Sequence, residues 1–399
     1  MNQHNNNYDL IVIGGGPMGL STAYHASKKG LRTLVIERFG FLNNAGSSAG
    51  MSRQFRLQYA QKYMSKLALS AQSYWAELQL HTQETLIGQV GSLWFGDPAL
   101  SSQEGGIAAA ETTMDELGIP YTKLTSQEIE DQYHFKNIPA DYSGFFQADG
   151  GIINLKATQE AMYNVALESG LVDFHAYEQV TNIVPAEDGV AVMASNATGN
   201  HLYQCAKLAI TPGPFVNEVL APLQLTIQMY IWEMSSAYYR KEHPEVNFPT
   251  WFVFQEPQET SLFYGFPEVD WSHPGYIRVA PDIPDRIISD PAQRSGSPSP
   301  KSLALNNQWV ANHMEGLDAN PQFTSTCLIA LSENSKEILL DYVADNIKGY
   351  QNIVVYTVGW AAKFIPLIGE MMLQMFDRED PFFVFDDYRV ARKHFKIKW

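Results

Sequence analysis

Three glycines and a glutamate near the start of the chain have the spacing of a site that holds a dinucleotide. Gly14, Gly16 and Gly19 stand in Gly14-Gly15-Gly16-Pro17-Met18-Gly19, and Glu37 closes a later apolar run, Leu31 to Ile36. Glycines at these steps let a chain turn tightly and bring its amides close to a pyrophosphate. A carboxylate about 20 residues further on can accept hydrogen bonds from an adenosine ribose. The ligand is FAD or NAD(P). For this to work, the glycines must follow a strand buried on both faces and open a helix whose N-terminal amides meet the phosphates. The unbroken apolar run Leu10 to Ile13 before them and the second run ending at Glu37 supply those elements in the required order.

The rest of the chain alternates two kinds of element. A loop of small and polar residues, Asn43 to Ser52, leads to a helix predicted over about 58–80 from apolar residues at helical spacing. A strand over 89–96, a helix over 155–170, strands at 180–184 and 190–193, and a short strand at 208–210 follow. Between Gln228 and Ala280 aromatics crowd together: Tyr230, Trp232, Tyr238, Tyr239, Trp251, Phe252, Phe254, Phe263, Tyr264 and Trp271. In β-prone runs they predict the core of a second, largely antiparallel sheet, with a minority lining a cavity. The Pro-, Ser- and Asp-rich stretch 282–302 reads as an exposed excursion. Late in the chain, Ile353 to Thr357, Gly359 and Lys363 repeat the order strand, glycine turn, helix. If both glycine-marked strand ends flank one sheet, the nucleotide domain is discontinuous and the aromatic β region is inserted into it.

Composition narrows the function classes. With 399 residues, 45% hydrophobic and 18% charged, the chain has the make-up of a globular enzyme of one or two domains. A formal charge of −16 argues against a nucleic-acid surface and against anionic lipid. No apolar stretch approaches the roughly 18 residues that span a bilayer. The polar opening Met1 to Asn7 lacks the parts of a signal peptide and is expected to be a free tail of a cytoplasmic protein. The two cysteines, Cys205 and Cys327, lie far apart without C-x-x-C spacing, so neither a disulfide scaffold nor a metal site is expected. Asn196-Ala197-Thr198 matches a glycosylation sequon by chance.

Taken in order, these motifs resemble the monomeric sarcosine oxidase family, within the D-amino-acid oxidase group of FAD enzymes that also includes N-methyltryptophan and pipecolate oxidases. The likeness runs from about Tyr8 to the C-terminus. It rests on Ser47-Ser48-Ala49-Gly50-Met51-Ser52-Arg53-Gln54-Phe55-Arg56, on Tyr264-Gly265-Phe266-Pro267, on Cys327 at the head of an apolar strand, and on Gly359-x-x-x-Lys363. The resemblance implies a monomer that binds FAD, with Gly14, Gly16, Gly19, Glu37, Ser48, Arg53, Cys327, Gly359 and Lys363 around the cofactor. Cys327 would carry the flavin covalently through its 8α-methyl group. Arg56 and Lys363 would hold a substrate carboxylate, Arg53 would favour the reduced, anionic flavin, and Tyr264 would line the substrate side.

The sequence also departs from that family. Ser48 and Ala49 replace two histidines, Arg278 stands where a lysine promotes reaction with oxygen, and Asp282 stands for a histidine. The fold expected is α/β: a Rossmann-like FAD-binding domain over 1–88, 152–220 and 333–399, and an α+β substrate domain over 89–151 and 221–332. The function expected is oxidation of a C–N bond in an amino acid or secondary amine bearing a carboxylate, by hydride transfer to flavin, giving an imine. Dioxygen then takes the electrons and yields hydrogen peroxide. Two alternatives stand beside it: a dehydrogenase of amino or hydroxy acids serving another acceptor, and a tailoring oxidase of natural-product biosynthesis. The altered flavin face and the aromatics suggest a substrate larger than sarcosine.

Overall fold

The computed structural model describes residues 6–102, 104–332, 338–377 and 380–399. Most of the polar opening expected to be a tail, residues 1–5, lies outside them. Strand β1 (Asn7–Ile13) turns at Gly14 into helix α1 (Pro17–Lys28), and β2 (Thr33–Ile36) returns parallel to β1, with Ile13 opposite Ile36. Pro17 fits the first turn because it has no N–H to leave unpaired. Leu10, Ile11, Val12 and all of β2 are fully buried, as a strand covered on both faces must be.

On its other side β1 runs parallel to Gly199–Ile210. The far end of that strand pairs in parallel with Ile353–Thr357, and its near end forms an antiparallel hairpin with Gly189–Asn196. The eight-stranded sheet is therefore assembled from residues 7–36, 172–210 and 339–357. The sheet is thus discontinuous in sequence, and the two glycine turns sit at the carboxyl ends of strands that share Gly199–Ile210 as neighbour.

A nine-stranded sheet holds the aromatic region. Its pairs are antiparallel except for Thr250–Phe254 with Ser92–Gly96. Of the ten aromatics singled out, Tyr238, Tyr239, Trp251, Phe252, Phe254 and Phe263 are buried. Trp251 stacks on Trp309 with centroids 4.8 Å apart, and Phe135 meets both edge-on. Phe252 and Tyr264 reach the functional cavity, while Tyr230 is 45% exposed.

A three-stranded sheet adds what the sequence pattern did not show. Strand β3 (Ser52–Phe55) pairs with Gly151–Asn154, which pairs with Ile87–Gly88. The helix expected from about 58 begins at Lys62 (α2, Lys62–Gln79): its N-cap Gln61 is extended, and before it Gln58 spends its amide on Ser92.

The stretch 282–302 is not a free excursion. It adds the edge strand Arg286–Ile288 and enters the helix Pro300–His313. The buried Glu233 carboxylate holds it down by accepting from Ser295 N, Ser295 Oγ and Gly296 N, since a buried charge requires donors.

Candidate active site

At the nucleotide end each glycine has a different physical reason to be glycine. Gly14 has φ +102°, and a Cβ there would stand 2.6 Å from the Thr211 carbonyl oxygen. A Cβ on Gly19 would stand 1.8 Å from the Gly14 oxygen, so Gly19 is what lets α1 pack against its own turn. A Cβ on Gly16 would meet nothing, and this N-cap residue leaves the backbone open toward the cavity. The first turn of α1 carries no acidic side chain, so the positive end of its dipole is uncompensated there. Glu37 is buried. Its Oε2 accepts from Gly15 N at 2.7 Å and its Oε1 from Phe39 N at 2.8 Å. A carboxylate has about four acceptor positions, so two remain for hydroxyl groups.

From this end one cavity continues past Ser47, Ser48 and Arg53 to Arg56, Tyr264, Arg278, Cys327, Gly359 and Lys363. Every residue expected at the site lines it except Gly19, whose part is packing. Arg53 donates to three carbonyls, Ser47 (2.5 Å), Ala49 (2.7 Å) and Ser52 (2.8 Å), and so fixes the loop that precedes β3. Burial works against its charge and lowers its pKa, and interaction with the Cys327 sulfur works in its favour. Cys327 lies buried opposite Met234, in the strand Phe323–Ser332. Arg278 donates to the Ser52 carbonyl at 3.1 Å and lies over the Phe266 ring. Burial raises the pKa of Tyr264, against the pull of Arg278 and Arg53.

Arg56 is the residue whose setting differs most from expectation. It forms a buried ion pair with Glu104, Nη2 to Oε2 at 2.5 Å, and its guanidinium lies over the rings of Tyr59 and Trp94. Burial is the strongest influence and opposes its charge, but Glu104 and Tyr59 together outweigh it and hold its pKa up. Arg56 Nε and Arg278 Nε are buried N–H groups with no hydrogen-bond partner among the described residues, and such groups call for a ligand or a water.

Lys363 is held by its own turn. Val358 and Gly359 both have left-handed backbones (φ +55° and +88°), and this conformation costs a β-branched residue about 1–3 kcal/mol. The turn swings the chain out of Ile353–Thr357 into Trp360 and Lys363. The Trp75 indole N–H then donates to the Lys363 carbonyl at 2.8 Å. Lys363 itself is 5% exposed.

The substrate end thus gathers four cations, Arg53, Arg56, Arg278 and Lys363, against two carboxylates, Glu104 and Asp282. Within a chain of charge −16 it is a locally positive, largely buried chamber, suited to an organic anion. Glu104, Gln54 and Trp360 also line it, and sequence reasoning gave none of them a role. The one available signal for Glu104 was its place before Gly105-Gly106, where Gly105 at φ +105° makes the tight turn that returns the carboxylate inward. No group of metal-binding side chains occurs among the described residues, and none of their helices is long and apolar enough to cross a membrane.

A buried βαβ nucleotide turn joined through one cavity to a cationic chamber under an antiparallel sheet defines a dinucleotide-dependent oxidoreductase. The FAD dependent oxidoreductase (DAO) family model matches residues 9–375, and the chain belongs to that family. A Dictyostelium discoideum protein named as a bifunctional amine oxidase is 32% identical over 96% of this chain, which spans 37% of that relative's length. Human peroxisomal sarcosine oxidase is 25% identical, covering 96% of each chain. Among solved structures, NikD, named an unusual amino acid oxidase essential for nikkomycin biosynthesis, aligns with a TM-score of 0.88 and 34% identity over 98% of each chain. The resemblance to sarcosine oxidases and the α/β fold with a second sheet are borne out, and the enzyme is an FAD-dependent oxidoreductase of the amine and amino-acid oxidase kind.

Proposed function

We propose that the protein oxidises the C–N bond of a cyclic or otherwise bulky amino acid or secondary amine bearing a carboxylate, gives an imine, and reduces dioxygen to hydrogen peroxide. The observation that carries this is the meeting of Arg53 and Arg56 with Cys327 and Lys363, both remote from them in sequence, on the cavity that begins at Gly14 and Glu37. FAD, when bound, supplies the two-electron acceptor for the C–H bond next to nitrogen. The chain's own residues position and select. Lys363 and the free N–H of Arg56 take the carboxylate, and burial keeps water from the reacting carbon. The α1 N-terminus with Gly14 and Gly16 holds the pyrophosphate, and Glu37 holds the ribose. Cys327, beside the Arg53 charge, would carry FAD through a thioether to its 8α-methyl group, the S–H and one methyl C–H being lost and the two electrons passing on to dioxygen. Sheet membership supports domains bounded at 1–88, 152–220 and 333–399 for FAD and at 89–151 and 221–332 for substrate. The likeness to NikD favours a tailoring role over simple catabolism.

The test is an absorbance spectrum before and after acid precipitation, followed by peroxide detection under air with sarcosine, L-proline, L-pipecolate and N-methyl-L-tryptophan. Yellow flavin retained in the pellet, and released to the supernatant in Cys327→Ala, supports the covalent link. Amine-dependent bleaching without peroxide would instead favour the dehydrogenase reading. Protein that takes up no FAD would overturn the proposal.

A further inference from the structure

We propose that Gln54 is a specificity-determining residue that presents a fixed hydrogen-bond acceptor to the substrate, so that the preferred substrate carries, besides its carboxylate, an N–H or O–H donor. This rests on the reading of the cavity as the site of a carboxylate-bearing amine.

The orientation of the Gln54 amide follows from its neighbours. The Thr250 hydroxyl lies 2.9 Å from the Gly91 carbonyl oxygen, which can only accept, so the single Thr250 proton is committed there. Its oxygen is left as an acceptor, and Gln54 Nε2 donates to it at 3.2 Å. The second Nε2 proton goes to Ser92 Oγ at 3.0 Å, and Ser92 Oγ also accepts from Gln58 Nε2 at 2.6 Å. Both donors of the Gln54 amide are therefore spent. Its oxygen has no hydrogen-bond partner among the described residues, and the side chain lines the cavity. A network that consumes the donors and spares the acceptor makes an otherwise ambivalent amide a selective one.

Its position relative to the anion site is also set. Gln54 and Arg56 are two residues apart along the chain and both line the cavity. Gln54 meets Ser92, and Arg56 lies over Trp94, two residues along the same strand of the large sheet. A carboxylate held at Arg56 and Lys363 thus leaves the Gln54 oxygen beside the body of the substrate. A donor placed there is matched, and a substrate with only C–H at that point leaves the acceptor unpaired.

The experiment uses purified holoenzyme and follows the perturbation of flavin absorbance by benzoate, the three monohydroxybenzoates and the corresponding methoxybenzoates. One hydroxybenzoate is expected to bind about tenfold more tightly than benzoate. The methoxybenzoate of the same position, which keeps the oxygen and lacks the donor, should bind no more tightly than benzoate. Gln54→Met should abolish the preference while leaving benzoate binding nearly unchanged. Thr250→Val, a change outside the cavity lining, should weaken it by letting the amide turn. Benzoate binding without any hydroxyl preference in the wild type, or a preference that survives Gln54→Met, overturns the proposal and leaves the carboxylate reading intact. Failure of every aromatic carboxylate to perturb the flavin overturns that reading, and this proposal with it.

Discussion

Glu104→Gln separates two roles of the Arg56–Glu104 pair that act in opposite directions. Both side chains are nearly inaccessible, 4% and 5% exposed, with nitrogen and oxygen 2.5 Å apart. At an effective dielectric near 20 the gross attraction is about 7 kcal/mol, most of it offset by taking the two charges out of water. Removing one partner of such a pair typically costs about 3–5 kcal/mol because the other charge is left uncompensated. Glutamine keeps an oxygen for the guanidinium, so the expected loss of stability is about 2–3 kcal/mol. In the same variant an incoming carboxylate no longer meets the Glu104 charge and finds Arg56 unshared. Its affinity should rise by about 1–2 kcal/mol, roughly tenfold. Urea unfolding of the holoenzyme measures the first quantity, and titration of the flavin spectrum with benzoate measures the second. A variant that is less stable and binds benzoate more weakly, or no differently, would refute the claim that Arg56 faces the carboxylate and would make the pair purely structural.

Lys363→Met should lower kcat/KM for carboxylate substrates by roughly 10- to 150-fold, mainly through KM, and steady-state kinetics with an amine and its methyl ester would show the loss confined to the acid. Gly19→Ala, whose new Cβ would stand 1.8 Å from the Gly14 oxygen, should cost about 3 kcal/mol or more and yield little folded protein. Gly16→Ala should leave stability within about 1 kcal/mol but weaken flavin retention, as judged by the ratio of flavin to protein absorbance. His25, on α1, is buried against the helix Ile365–Asp377, with Nε2 2.7 Å from the Pro366 carbonyl oxygen, and burial pushes its pKa down to about 4. The unfolded chain, titrating near 6.5, binds the extra proton first, so His25 costs stability as pH falls from about 6.5 to 4, up to about 3 kcal/mol. His25→Gln should flatten the decline in unfolding free energy over that window; a wild-type slope retained in the variant would assign the decline to the carboxylates instead.

What the sequence disclosed about the fold is what local pattern can encode. The β1–α1–β2 unit is legible because burial on both faces demands an unbroken apolar run and the turn demands glycine. The cavity face of Ile353–Lys363 is legible because its glycine turn repeats that logic. The aromatic region announced a second sheet, since side chains of that size at β spacing must be buried somewhere. Strand β3 was not announced: in Ser52-Arg53-Gln54-Phe55 the two middle residues are polar and both line the cavity, so the alternation of burial is broken by the site itself.

The polar chemistry of the chamber was hidden for a different reason. Arg56 could be placed at the site by motif, but the residue that sets its charge, Glu104, lies 48 positions away in a loop with no periodicity to mark it. Gln54 stands inside the same motif, yet its amide is aimed by Thr250, 196 positions away. A side chain that must present one particular atom to a ligand has to be fixed by partners that the ligand does not touch. Those partners come from whichever elements the fold brings alongside, here the sheet strands Ser92–Gly96 and Thr250–Phe254. Sequence spacing therefore reveals which residues can do chemistry long before it reveals which way they are held, and selectivity depends on the second. The class of reaction was legible in motifs near Gly14 and Lys363, whereas the selectivity proposed above would rest on hydrogen bonds and an ion pair that link β3 and its continuation to Ser92, Thr250 and Glu104.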